Sequence, residues 1–464
     1  MQKIQDYLQS HKKVKKGMSN TTKIMLGFLL AILIGAGFLS LPIATVSGKT
    51  DYLTSLFTAT TSVCVTGLVV VPTFSYWSLF GKIVILILIQ LGGLGIVTLN
   101  TIILLMIYKR ASLKDNLMIQ DAFGLNTMRD LSRFVKKVII GTLVVELLGA
   151  CLYMIEFVPR YGIKGVWYAI FNGVSAFCNA GIDILGEDSL MSFSSSPLII
   201  LTSSLLIILG GIGFVVWWDI LDVAGRAKRG EIQKRDFARN LTTHTKIVLS
   251  TTAVLLLFGA VMTFVLEYHN PETLGNMSLG EKLMNSWFQS VTYRTAGFAT
   301  INQAGLTEAS VVVADMIMLI GGSPVGTAGG IKTVTAAVIF FSILAVVKGN
   351  DETIAFRKRI PKDLMRRSLA VMMISVLTIA FFMILLMVSN DLSLADGSYE
   401  VVSAMATVGL TRDVTPTLNV FGRICIIICM YLGRIGPITM FIFFGNKSGN
   451  KNSIHYAKAN ITVG

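Results

Sequence analysis

The chain has 464 residues, of which 14% are charged, and a formal net charge of +14. Soluble domains carry about 25% charged residues, and the mean hydropathy here is +0.70, so an ordinary soluble domain is excluded. The positive charge sits on short loops and termini between long apolar runs, a pattern of membrane topology rather than of nucleic-acid binding.

In chain order the apolar runs fall into four units, each reading as long helix, short helix, loop, long helix. Unit one has a helix over 24–46, a short segment over 52–63 and a helix over 79–108. Unit two has 134–157, 166–177 and 198–221. Unit three has 245–267, 279–292 and 310–347. Unit four has 369–388, 393–406 and 420–444. This gives repeats 24–108, 134–224, 245–347 and 367–445, a basic N-terminus 1–23, linkers 109–133, 225–244 and 348–366, and a tail 446–464. The long runs can cross a bilayer, which takes about 20 residues. The short ones cannot, and they read as re-entrant elements. The fold expected is therefore an all-α polytopic membrane protein of eight transmembrane helices, built from four helix–pore loop–helix repeats around a pseudo-fourfold pore, like a potassium channel.

Lys and Arg cluster on the termini and linkers, whereas the alternate loops hold Asp183, Glu187, Asp188, Glu267, Glu272, Glu281, Asp391, Asp396 and Glu400. The excess of Lys and Arg on one side places both termini in the cytoplasm of a plasma-membrane protein. The first apolar run lacks the flanks of a cleavable signal. Acidic outer loops would concentrate cations at a pore mouth.

Each unit ends its short segment on a glycine followed by a bulky apolar residue, and these glycines recur about every 114 residues. The stretches are Val65-Thr66-Gly67, Asn179-Ala180-Gly181, Thr295-Ala296-Gly297 and Thr407-Val408-Gly409. An aromatic stands ten positions before each glycine: Phe57, Phe171, Trp287 and Tyr399. Non-helical backbone at membrane depth must be buried or line a wet cavity, so four such loops in register belong around one axis. Glycine permits the dihedrals that aim successive carbonyls inward. A ring of carbonyls replaces the hydration shell of a potassium ion, and the short helices would direct their negative ends at it. These twelve residues are the candidate selectivity filter.

The last helix of each unit carries a glycine cluster after the filter: Gly92-Gly93-Leu94-Gly95, Gly210-Gly211-Ile212-Gly213, Gly321-Gly322 and Gly433-Arg434-Ile435-Gly436. In units one and two these read as tight helix packing. Unit three departs from this: Gly321, Gly322, Ser323, Pro324, Gly326, Thr327, Gly329 and Gly330 must break the helix, and a broken helix beside an ion path is a candidate gate. Arg434 lies mid-helix, where a charge is costly and faces the interior or a partner. It reads as a cation in the pore beside the gate, with a salt bridge to Glu146 as the alternative. Arg294, one residue before the third filter stretch, is expected to point away from the axis and pair with Glu267 or Asp315.

The filter loops resemble those of the Trk/Ktr/HKT potassium transporter superfamily, in which one chain carries four helix–pore–helix repeats. No helical pair precedes unit one, and Ile461-Thr462-Val463-Gly464 resembles the end of Ktr membrane subunits, so the resemblance is to the Ktr type. It implies potassium uptake, sodium as an activator, and a homodimer of pore chains on a cytosolic nucleotide-binding ring of RCK type. It also identifies the glycine-rich segment as an intramembrane gating loop and Arg434 as the cavity arginine. Loops 226–239 and 348–367 and the Gly464 carboxylate would dock the ring. No cofactor is expected in the chain, and the bilayer is its other partner. A pore for sodium or ammonium, and a membrane scaffold whose repeats only pack, are the competing readings. The sequence holds neither a Walker loop nor a nucleophile motif, so an enzyme is not expected.

Overall fold

The computed structural model describes residues 20–95 and 131–436. Residues 109–130 of the expected linker, the tail with Ile461 to Gly464, and the far ends of the helices expected over 79–108 and 420–444 lie outside them.

Unit one begins with α1 (Asn20–Leu39), which stops well short of residue 46 because Pro42 opens a separate 3-10 turn, Pro42–Ala44. The short helix α2 (Tyr52–Cys64) and α3 (Leu79–Leu94) follow. Unit two contains α4 (Leu131–Tyr161), the short α5 (Lys164–Cys178), α6 (Pro197–Gly211) and α7 (Phe214–Lys228). Unit three contains α8 (Thr243–Glu267), the short α9 (Leu279–Thr292), α10 (Glu308–Leu319) and α11 (Thr333–Val347). Unit four contains α12 (Lys362–Asn390), the short α13 (Leu394–Ala406) and α14 (Val420–Ile435). Between α11 and α12 a two-stranded hairpin pairs β1 (Ile354–Ala355) with β2 (Lys358–Arg359), an addition to the all-α expectation.

Local chemistry starts these helices in a regular way. The four units' last helices begin at Ser78, Ser196, Thr307 and Asn419, each accepting a hydrogen bond from a backbone N–H in the first turn. Ser278 and Glu281 form a reciprocal capping box on α9. Glu267, fully buried at the end of α8, accepts from Asn270, Thr273, Thr307 and Ser310, tying the start of α10 to the end of α8.

The units close into a ring. The last helix of each packs against the short helix of the next: α3 on α5, α6 on α9, α10 on α13, and α14 back on α2. This cyclic packing is what four equivalent elements around one axis require. Outward faces are apolar stripes at helical spacing, such as Val254, Leu257, Val261 and Val265 on α8 and Met373, Leu377, Phe381 and Ile384 on α12. The interior around the short helices is rich in buried hydroxyls, including Thr58, Thr60, Thr61 and Ser62. An apolar exterior around a polar axis is the arrangement of a chain whose solvent is lipid. Of the four aromatics, Phe57, Phe171 and Tyr399 are fully buried and Trp287 is half-buried against the core.

One expected helix is broken. The run expected as a single helix over 198–221 splits at Gly211, and α6 and α7 meet at a bend of 96°. Gly213, with φ +87°, makes the corner. The glycine cluster of unit two therefore turns the chain as well as packing it.

Candidate functional site

The four glycine stretches converge. Each short helix ends, and the residue two before the glycine then enters the left-handed region: Val65 (φ 55°), Asn179 (59°), Thr295 (63°) and Thr407 (54°). In units one, two and four the turn has Schellman geometry. Val65 N–H bonds the Ser62 carbonyl and Thr66 N–H the Thr61 carbonyl, and the same pairs recur at Asn179–Ala180 and Thr407–Val408. A β-branched residue in this region is unfavourable by about 1–2 kcal/mol, so Val65, Thr295 and Thr407 hold strained backbone at the site.

The glycines follow with φ of 104°, 63°, 82° and 93° at Gly67, Gly181, Gly297 and Gly409. Their crowding gives the ring its sense. A Cβ on Gly67 would lie 2.7 Å from the Ala180 carbonyl oxygen, one on Gly181 2.6 Å from that of Ala296, and one on Gly297 2.8 Å from that of Val408. A Cβ on Gly409 would overlap the Thr66 carbonyl oxygen and close the circle. Four carbonyls thus alternate with four glycines around the axis, and no side chain fits between them.

Hydroxyls brace this backbone, and the sequence reading missed them. Thr61 and Ser403, each six residues before the glycine, accept from Gly67 N–H and Gly409 N–H at 3.0 Å. Ser175, at the same offset, bonds both the N–H and the carbonyl of Ile182. In unit three Thr292 bonds the Phe298 carbonyl at 2.7 Å. A hydroxyl at a fixed offset in three repeats was the available signal.

The glycine-rich segment is a loop on a narrow neck, with the helix broken between Leu319 and Thr333. Gly321 N–H bonds the Ile331 carbonyl, Thr333 N–H the Gly322 carbonyl, and Ser323 pairs with Thr333 through their hydroxyls at 2.8 Å. The tip docks on the corner of unit two. Ser323 N–H bonds the Gly211 carbonyl, Thr327 N–H the Gly210 carbonyl, and Phe214 N–H the Val325 carbonyl. Loop and ring touch directly. Thr327 Oγ1 is 2.8 Å from Asn179 Oδ1, and a Cβ on Gly329 would run into the Thr407 side chain. The glycines of the last helices also admit short-helix carbonyls, since a Cβ at Gly92, Gly210 or Gly433 would overlap the carbonyl oxygen of Val63, Phe177 or Met405.

Both arginines differ from the carboxylate pairings considered for them. Arg434 donates to the carbonyls of Thr327 and Gly92. Glu146 instead accepts from Gln90 Nε2 at 3.2 Å and from the Cys178 thiol. Arg294 donates to the Gly321 carbonyl at 3.2 Å, at the neck of the loop, and pairs with neither Glu267 nor Asp315. Lys332 Nζ reaches the Ala328 carbonyl at 2.8 Å. Three basic side chains therefore hold the loop by its backbone. On the opposite side of the ring a cavity of about 230 Å³ is lined by the four glycines and by Asp183, Glu187, Asp188 and Asp413.

A sequence model of the TrkH family, described as "Cation transport protein", matches residues 2–456. The chain is 36% identical to the Ktr system potassium uptake protein B of Bacillus subtilis, over 98% of this chain and 100% of that protein. It is 35% identical to the potassium/sodium uptake protein NtpJ of Enterococcus hirae, over 92% of this chain and 93% of that one. The crystal structure of the potassium transporter TrkH from Vibrio parahaemolyticus superposes with a TM-score of 0.70 at 16% identity, covering 93% of this chain and 86% of that chain. The ring, the cyclic packing of its units and these full-length matches agree: the chain belongs to the TrkH family of cation transport proteins.

Proposed function

We propose that the chain is the potassium-translocating pore of a Ktr-type uptake system. The observation that carries the reading is the alternation of four carbonyls with four glycines around one axis. Oxygen ligands without formal charge suit a dehydrated monovalent cation, and the short helices present their negative ends to it. The relatives' names, which specify potassium uptake, support the choice of ion.

In this reading potassium enters from the acidic cavity and loses water at Val65 to Gly67, Asn179 to Gly181, Thr295 to Gly297 and Thr407 to Gly409. Loop Gly321 to Gly330 and Arg434 gate its exit. Both termini are cytoplasmic, because the basic linkers share that side. Sodium as an activator rests on the family resemblance and on a relative named for both ions. A homodimer on a cytosolic nucleotide-binding ring rests on the resemblance to Ktr systems. The surfaces for that ring are the linkers around Arg226, Arg229 and Arg359, whose ion pairs with Glu231 and Glu352 are solvent-exposed.

The test is potassium uptake in cells lacking their own potassium transport, with wild type beside Gly297→Ser. Wild type restores growth at low potassium. The serine side chain has no room beside the Val408 carbonyl and the Gly181 Cα, 2.9 Å from its Cβ, so potassium flux and its preference over sodium both fall. Rescue untouched by Gly297→Ser would remove the ring from the pathway.

The acidic cavity adds a dependence on external pH. Burial pushes the Asp183 carboxyl up to about 6, against the opposing bonds from Leu185 N–H and Ser189. Asp183 is therefore charged above that pH and becomes neutral as pH falls through it. Uptake from micromolar potassium falls about two- to threefold between pH 7 and pH 5 as the local attraction weakens. Asp183→Asn removes the step near pH 6, and high salt masks it. An unchanged pH profile in that variant would separate Asp183 from ion entry.

A further inference from the structure

We propose that Asn179 and Thr327 form a latch that ties the gate loop to the filter, so that the pore opens only when a filter side chain gives up its bond to the loop. The proposal rests on the filter-and-gate reading above and names how that gate is held.

The residue two before each glycine is in the left-handed region in all four units: Val65, Asn179, Thr295 and Thr407. Val65 is apolar there, and Thr295 and Thr407 carry short hydroxyls. Asn179 alone carries an amide, and it reaches the loop. Its Oδ1 is 2.8 Å from Thr327 Oγ1, which also lies 3.2 Å from the Phe177 carbonyl. Either orientation of the amide keeps the bond, since a hydroxyl both donates and accepts. The pair is completely buried, so no water competes for either group while the loop is in place.

The site is prepared on the opposite side as well. Gly210 has no side chain, and a Cβ there would lie 2.6 Å from Asn179 Oδ1 and 2.7 Å from Thr327 Oγ1. The glycine thus clears the space in which amide and hydroxyl meet. The corner at Gly213 brings Gly210, Gly211 and Phe214 under the loop, and their backbone groups hold Thr327, Ser323 and Val325. Arg434 holds the Thr327 carbonyl from unit four. Thr327 is therefore fixed through its N–H, its carbonyl and its hydroxyl, and only the hydroxyl engages a filter side chain.

Asn179 tolerates the left-handed conformation better than threonine does, which would account for an asparagine at that position by itself. It does not account for a threonine hydroxyl from the other side of a 148-residue sequence gap meeting the amide. Movement of the loop breaks this bond and exposes the amide to the ion path. Conversely, a shift of the unit-two filter loosens the loop. Filter and gate are coupled through one pair.

The experiment is rubidium uptake by proteoliposomes of the full chain without a cytosolic partner. Thr327→Val and Thr327→Ser are compared in the Asn179 background, and Thr327→Val also in Asn179→Thr and Asn179→Ala backgrounds. Loss of one bond that holds only the closed state raises partner-free uptake by Thr327→Val about three- to tenfold. Thr327→Ser, which keeps the hydroxyl, restores the low rate. In either Asn179 variant Thr327→Val raises uptake clearly less than in the Asn179 background, because only the bond to the Phe177 carbonyl is left to lose. An unchanged rate in Thr327→Val, or an equal rise in all backgrounds, would overturn the latch. Absence of uptake by every chain, wild type with its partner included, would remove the pore reading and the latch with it.

Discussion

Gly409→Ala abolishes measurable cation uptake while the protein still folds and inserts. Gly409 sits at φ 93°, a conformation that an L side chain rarely adopts, and its Cβ would overlap the Thr66 carbonyl oxygen and lie 2.8 Å from the Gly67 Cα. Neither neighbour can yield cheaply, because both are backbone and both belong to the ring. Thr66 is also pinned from behind by its N–H bond to the Thr61 carbonyl. If the ring is the filter proposed above, displacing one carbonyl spoils a coordination shell shared by four units, so rubidium uptake falls by at least about a hundredfold, the loss expected when about 3 kcal/mol of ion stabilisation disappears. Gly37→Ala is the control. Gly37 lies in α1 with nothing within 4 Å of the methyl that alanine would add, and alanine favours a helix by about 1 kcal/mol over glycine. Size-exclusion behaviour like wild type for both variants, with uptake lost only in Gly409→Ala, is the expected result. Retained uptake in Gly409→Ala would mean that the Thr66 carbonyl is no part of the ion path.

The ring was legible in the sequence because its requirement falls on residue type. Positive φ and a neighbour's carbonyl within van der Waals reach admit only glycine, and four repeats wrote that glycine at regular spacing. The broken helix of unit three was legible for the same reason, since Pro324 and the glycines around it forbid a helix. Other features left no such trace. Val65, Thr295 and Thr407 are β-branched residues in a left-handed conformation, which local preference argues against; tertiary packing imposes it. The corner at Gly213 was hidden in an apolar run whose glycines also serve close packing. Arg294 looks in sequence like an ion seeking a carboxylate, and Arg434 like a pore cation beside the gate with Glu146 as the alternative partner, yet both bond backbone carbonyls, which every residue carries and no sequence pattern marks. The hydroxyls of Thr61, Ser175 and Ser403 were masked by the many other small polar residues on the short helices. Glycine constraints are written in the sequence; partnerships with backbone groups are not.

Arg434→Ala raises partner-free rubidium uptake by about tenfold or more, the second large effect expected. The guanidinium bridges two carbonyls that belong to different units, Thr327 in the loop of unit three and Gly92 in the last helix of unit one. It therefore ties the loop tip to the last helix of unit one, and in the proposed pore it also places a positive charge beside the path of the cation. Alanine removes both effects, and loss of a bidentate charged bond of this kind shifts a closed–open equilibrium by about 1.5–3 kcal/mol. Arg434→Lys separates the two contributions. An ammonium keeps the charge but lacks the planar fork that reaches two fixed acceptors at once. If bridging holds the loop shut, Arg434→Lys conducts nearly as well as Arg434→Ala. If the charge alone obstructs the ion, Arg434→Lys stays as closed as wild type. The geometry favours bridging, because the loop is held through the carbonyl of Thr327, and a charge that acted only by repulsion would have no need of a second anchor at Gly92.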